Sequence, residues 1–249
     1  MNGPHRQPLR LAPSPRLSSW WAVAAVMALP LPISAAEIRG TVSVQHGGLF
    51  GEHGAAPKDV LVSVAVFPAE GQALPSAAVR EQDMVAAAGS GIQPLYVALP
   101  RGSRLRFRNG DDVHHQLFSH SHTQPLAVHL DGSGQGSSAI VVLRDSGDLH
   151  WFCRIHAKSY ARVDVVDTPL VRTLRAGESF EFRDLAPGKW RLRVAAPGAE
   201  AVTLVTEAVT APPPLRIPLA IKGLMPDAQA SPLPHAVAVE QLFPSRPGL

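Results

Sequence analysis

Runs in which apolar and charged side chains alternate strictly leave this chain little choice but to build sheets. Between 103 and 108, Arg104, Arg106 and Arg108 alternate with Leu105 and Phe107; between 189 and 195, Lys189, Arg191 and Arg193 alternate with Trp190, Leu192 and Val194. Period two sends successive side chains to opposite faces of a strand, so one face is apolar and the other solvated. Val60, Val62, Val64 and Val66 keep the same period within 58–67. Further strand-like runs fall at 38–44, 92–99, 115–119, 126–130, 139–143, 149–153 and 160–166, separated by turn signals such as Pro100-Arg101-Gly102 and Asn109-Gly110-Asp111-Asp112. With 24 prolines and 20 glycines against sparse charge, long helices are not expected. The expectation is all-β, with a sandwich of seven or more short strands. The Ala-rich stretch 76–88 is expected to hold a short helix or an irregular crossing.

Asp167-Thr168-Pro169 marks an expected boundary, after which strands at 179–182, 189–195, 201–206 and 215–221 would make a smaller β unit. Beyond Gly223 the chain is rich in Pro and Ala without a sustained period, which predicts a disordered tail over 223–249. At the other end, Arg6, Arg10 and Arg16 precede an apolar run from Trp20 to about Leu31 and the small residues Ser34-Ala35-Ala36. This is the pattern of a secretory signal over 1–36. The apolar run is shorter than the roughly 20 residues a spanning helix needs. The reading is therefore a periplasmic or secreted protein without stable membrane insertion once the signal is removed. The leader carries three of the 23 basic residues and no acid, leaving 20 basic against 20 acidic side chains. A basic nucleic-acid-binding surface loses its support.

Cys153 is the one cysteine in the sequence. In an oxidising compartment a lone cysteine is unusual, and by itself it is most simply a small buried hydrophobe. His156, three residues on, changes that reading. A thiolate and an imidazole at a strand-to-loop junction can grip one metal ion, and His115, on a separate strand after the Asn109 break, is placed to add a third ligand. Two imidazoles and one thiolate with a long axial ligand make the blue-copper electron-transfer set. Gln116, beside the first of these ligands, is a candidate to hold the site's backbone. Trp151 shares the Cys153 face at period two and is expected in the core. His114, His120 and His122 are expected to face solvent, and Asp111 and Asp112 to form a solvated turn. No carboxylate pair, Ser/His/Asp set or phosphate-cradling loop stands out, and Gly132-Ser133-Gly134-Gln135-Gly136 reads as a plain loop, so the expectation is not an enzyme.

The run Arg106-Phe107-Arg108-Asn109-Gly110-Asp111-Asp112-Val113-His114-His115-Gln116-Leu117-Phe118-Ser119 resembles the first ligand region of cupredoxins, in particular exported methylamine-utilisation-like proteins. In that family the ligand histidine lies six residues after the asparagine, which selects His115 over His114. Phe152-Cys153-Arg154-Ile155-His156 resembles the family's Cys-x-Ile-His segment, and Ile92-Gln93-Pro94-Leu95-Tyr96-Val97 with Pro100-Arg101-Gly102-Ser103 fits its preceding strands. The segment from Gly177 to Gly188 resembles a transthyretin-like or carboxypeptidase-regulatory-like module. The resemblance implies a cupredoxin-like Greek-key β-sandwich over 37–167 and a small transthyretin-like β-sandwich over 168–222. It also implies one type-1-like copper ion on His115, Cys153 and His156. It further implies single-electron transfer with a redox partner protein in the envelope. In amicyanin-like members an axial methionine stands three residues after the second histidine; here that residue is Ser159, and the plastocyanin-like position is Ala161. The two methionines after the leader, Met84 and Met225, lie outside the ligand loops. The departure keeps two alternatives open, a copper storage or delivery protein and a metal-free envelope binding module.

Overall fold

The computed structural model describes residues 36–47, 53–54, 59–69, 71–76, 79–120, 125–132 and 137–221. Residues 1–35 of the expected signal, the Pro/Ala-rich tail, His122 and the glycines of 133–136 lie outside them. Among the described residues all regular structure is β. Ala36, which the leader reading assigns to the signal, is the first residue of β1 (Ala36–Gly47) and is buried against Leu185.

The strands form two sandwiches. In one, the sheet β10–β7–β4–β5 (Ser138–Val142, Arg104–Asn109, Glu81–Ala87, Gly91–Gln93) faces the sheet β6–β12–β11–β8–β9. The second sheet comprises Tyr96–Pro100, Tyr160–Val166, Gly147–Cys153, His115–His120 and Leu126–Leu130. Between them lie Met84, Phe107, Leu117, Leu130, Leu149, Trp151 and Val163. The alternation read in 103–108 is realised: Leu105 and Phe107 are fully buried, while Arg104 and Arg108 are exposed. Trp151 is in the core as expected, its ring 4.5 Å from that of Phe107. Fully burying a side chain of this size contributes about 1.5–3 kcal/mol.

The second sandwich is not the one the boundary at Asp167 implies. Its sheets are β14–β1–β17 (Ser179–Leu185, β1, Leu215–Ile221), to which β2 (His53–Gly54) adds on β1, and β13–β3–β15–β16. The latter comprises Val171–Arg175, Leu61–Pro68, Gly188–Ala195 and Val202–Ala208. Thus β1 and β3, expected within a unit spanning 37–167, pair instead with strands after 171. The nine strands from β4 to β12 are an insertion between β3 and β13. Period two shows that a segment is a strand and which face is apolar, but says nothing about which strand it pairs with. β3 also departs from a half-exposed strand, with Val62 to Val66 buried on both faces.

Two local expectations also change. The stretch 76–88 contains β4, in which Met84 and Ala86 are buried while Asp83 before them and Val85 between them are exposed. Ala86 and Ala87 lie within the strand, Ala86 fully buried, and helical period is absent. The run 92–99 is two strands, β5 and β6, in different sheets; Pro94 between them has no N–H to give a ladder.

The seam between the sandwiches is packed and hydrogen-bonded. Ala65, Ala98, Val166 and Val171 form its apolar part. Tyr96 Oη lies 2.7 Å from Ser63 Oγ and donates to Asp164 Oδ2 at 2.9 Å, while Arg162 Nε donates to Asp164 Oδ1 at 2.7 Å. Thr168 Oγ1 donates to the Val66 carbonyl, and Thr173 Oγ1 accepts from the Ala98 N–H.

Candidate metal centre

Cys153 ends β11, His115 begins β8, and His156 stands in the loop that follows Cys153. β11 and β8 are antiparallel neighbours with Cys153 opposite Leu117, so His115 lies just past the sulfur on the adjoining strand. Cys153 and His115 are both buried, His115 completely; His156 is partly exposed. The three residues predicted from the sequence are brought together: ligand atoms of His115, Cys153 and His156 all lie within 4.8 Å of one another. Cys153 Sγ is 3.9 Å from His115 Nδ1 and 3.5 Å from His156 Nδ1, and the two imidazole centroids are 4.7 Å apart.

The expected solvated turn at Asp111 and Asp112 holds only for Asp112, which is exposed. Asp111 Oδ1 lies 2.9 Å from His115 Nε2. An ionised carboxylate only accepts, so Nε2 carries the proton and Nδ1 keeps its lone pair towards the sulfur. Asp111 is itself anchored. Its Oδ2 accepts from Ala88 N–H at 2.6 Å and its Oδ1 from Val113 N–H at 3.2 Å. Burial alone would raise the Asp111 carboxyl, but the hydrogen bonds from Ala88, His115 and Val113 outweigh it and hold the group below its ordinary range. For His156 the loss of solvent, then the neighbouring His115, push the imidazole below its usual pKa towards the neutral form that a ligand needs.

Sequence reasoning missed Asp111. The signal was present: Asn109-x-Asp111 is an Asx-turn spacing, and Asp111 lies four residues before His115. Asn109 Oδ1 accepts the Asp111 N–H at 3.0 Å, and its Nδ2 donates to the carbonyls of Val113 and Asp131 at 2.7 and 2.8 Å. The main-chain carbonyl at Gln116 accepts the Arg154 N–H at 2.8 Å, a bond that does not depend on which side chain stands there. His114 and His120 are exposed as expected.

Ser159, at the expected axial position, donates its N–H to the His156 carbonyl at 3.0 Å and so closes the ligand loop. Its side chain is buried, and Oγ has no hydrogen-bond partner. Met84 is locked in the apolar core on β4. The donor set is thus one soft thiolate and two imidazole nitrogens, a combination that suits copper or zinc. No helix among the described residues is long and apolar enough to cross a membrane.

No family model and no curated protein matches this chain. Solved structures to which it is similar include a purple cupredoxin from Nitrosopumilus maritimus, at 17% identity and a TM-score of 0.29 over 34% of this chain and 99% of that one. Another is pseudoazurin from Methylobacterium extorquens AM1, at 20% identity and a TM-score of 0.29 over 35% of this chain and 76% of that one. A third is amicyanin from Paracoccus versutus, at 14% identity and a TM-score of 0.29 over 41% of this chain and 97% of that one.

Proposed function

We propose that this chain is an exported, cupredoxin-like protein that binds one copper ion through His115, Cys153 and His156 and passes single electrons to or from a partner protein in the envelope. The observation that carries the reading is the convergence of His115 Nδ1, His156 Nδ1 and Cys153 Sγ at one end of a sandwich. A type-1-like copper held there would supply reversible one-electron chemistry. The chain's own residues do the rest. Asp111 and the buried surroundings fix the His115 ring in one tautomer and orientation, and the Arg154 N–H to Gln116 carbonyl bond ties the ligand loop to β8. Ligands on two neighbouring strands of a packed sheet move little when charge changes, which keeps reorganisation small. His156, the one partly exposed ligand, is the point of closest approach for a partner.

A second reading, copper storage or delivery without redox turnover, is favoured by one observation. At the sequence position where the resemblance places a thioether stands Ser159, whose buried, unpartnered hydroxyl oxygen would be a hard donor. Titration of the apo protein with Cu(II), followed by visible absorption and EPR, separates the two. An intense thiolate-to-copper band at one equivalent, with narrow hyperfine splitting, supports electron transfer. A pale complex displaced by Cu(I) supports storage or delivery. No binding removes both, and leaves a metal-free envelope module.

A further inference from the structure

We propose that His114, His129 and Asp131 form a second metal site, on the outer face of the sheet, for a divalent transition ion. It stands on different residues from the inner centre and does not depend on that reading.

The pairing of β8 with β9 sets the arrangement. His115 faces Leu130 and Gln116 faces His129, with His115 and Leu130 turned into the core. Alternation then sends His114, His129 and Asp131 to the opposite, solvent side, where all three are exposed. One step beyond the last ladder pair, His114 faces Asp131, and His129 is its diagonal neighbour, a spacing long side chains bridge. The rings of His114 and His129 lie 6.3 Å apart between centroids, and His129 Nε2 is 3.1 Å from Asp131 Oδ1. As they stand the three ligand atoms are not drawn together, and the exposed His114 side chain would have to rotate to complete a set of two imidazoles and one carboxylate. That donor set takes Cu(II), Zn(II) or Ni(II) and leaves open coordination positions for water.

The backbone beneath the three residues is held in place. The buried Asn109 amide donates to both Val113 O and Asp131 O, tying the segment that carries His114 to the one that carries Asp131. Asp131 N–H in turn donates to Ser137 Oγ at 2.9 Å. Gly132 lets the two segments close: a Cβ there would lie 2.7 Å from both His114 N and Asp112 O. Much of the ordering cost of a surface site is therefore met before any ion binds.

The test is a Cu(II) titration of the full chain and of His114→Ala, His129→Ala and His120→Ala, followed by calorimetry and EPR. The expected result is a tetragonal, nitrogen- and oxygen-ligated Cu(II) species without a thiolate band. Loss of either histidine should weaken it by more than the roughly 10–100-fold typical of losing a mere supporting partner. His120→Ala should leave it unchanged. Absence of this species from the unsubstituted chain, or its retention in either His114→Ala or His129→Ala, overturns the proposal. Failure of the inner centre would show separately, as absence of the thiolate band in the unsubstituted chain.

Discussion

The two sandwiches share an architecture and differ in what they keep inside. The flanking one, built from β1–β3 and β13–β17, has an interior of Ile38, Val42, Phe180, Phe182, Trp190, Leu192 and Leu219. Of the buried polar residues, Ser103, Asn109, His115, Ser119, Ser159 and Asp164 belong to the inserted sandwich, as does Cys153. Ser63 and Thr168, nearest the flanking unit, both face the seam. A buried polar group costs stability unless it is partnered, and three of these, Asn109, His115 and Ser159, stand at the candidate site, where chemistry rather than packing sets the residue. The comparison teaches that the flanking sandwich is built as an apolar frame, while the insertion holds all three candidate ligands.

Substitution at the sulfur is the strongest attempt to break this division. Cys153→Ser is expected to abolish the charge-transfer band entirely while changing unfolding free energy by no more than about 1 kcal/mol, because the new hydroxyl faces the same two imidazole nitrogens. Loss of the fold would place Cys153 in the frame's class. Trp190→Ala is the mirror experiment. It empties the centre of the frame and should cost about 3–5 kcal/mol by denaturant titration, yet leave the folded protein's copper spectrum unchanged.

Asp111→Asn tests whether the insertion's polar residues act on the site or merely fill space. Copper affinity should fall by about 10–100-fold, since the carboxylate that fixes the His115 tautomer loses its charge. Asp112→Asn, at the exposed neighbour, should change nothing measurable. Tyr96→Phe probes the seam. It leaves Asp164 and Ser63 each short of a partner, at a cost of about 1–3 kcal/mol. Trp151 and Trp190 lie in different sandwiches, so their fluorescence, compared using Trp→Phe variants, would show whether weakening the seam separates the two unfolding steps.

The smallest effect is on pH. Burial raises both Tyr96 and Tyr160, and for Tyr160 the pKa is pushed up to about 12. The folded state then holds these protons after the unfolded chain has released them. The stability they contribute is present below the ordinary tyrosine pKa and is lost as pH rises towards about 12. Absorbance of tyrosinate should stay low until above that ordinary value; an early step at Tyr160 would contradict its burial between Phe152 and His150.

By itself the sequence determined that this chain is all-β, because alternation at Arg104–Asn109 and again along Gly188–Ala195 is a property of a strand's own residues. It also pointed to Cys153 and His156, since a thiol and an imidazole three residues apart are chemically conspicuous wherever they fold, while the choice of His115 over His114 came from the resemblance. Tertiary structure alone decided that β1 and β3 join strands after 171, that β3 is buried on both faces, and that Asp111 turns inward to His115 while Asp112 stays in water. The reason is the same in each case. Period and spacing are local, whereas a strand's partner, a second buried face and the direction of a turn's carboxylate depend on residues far along the chain, and only packing brings those together.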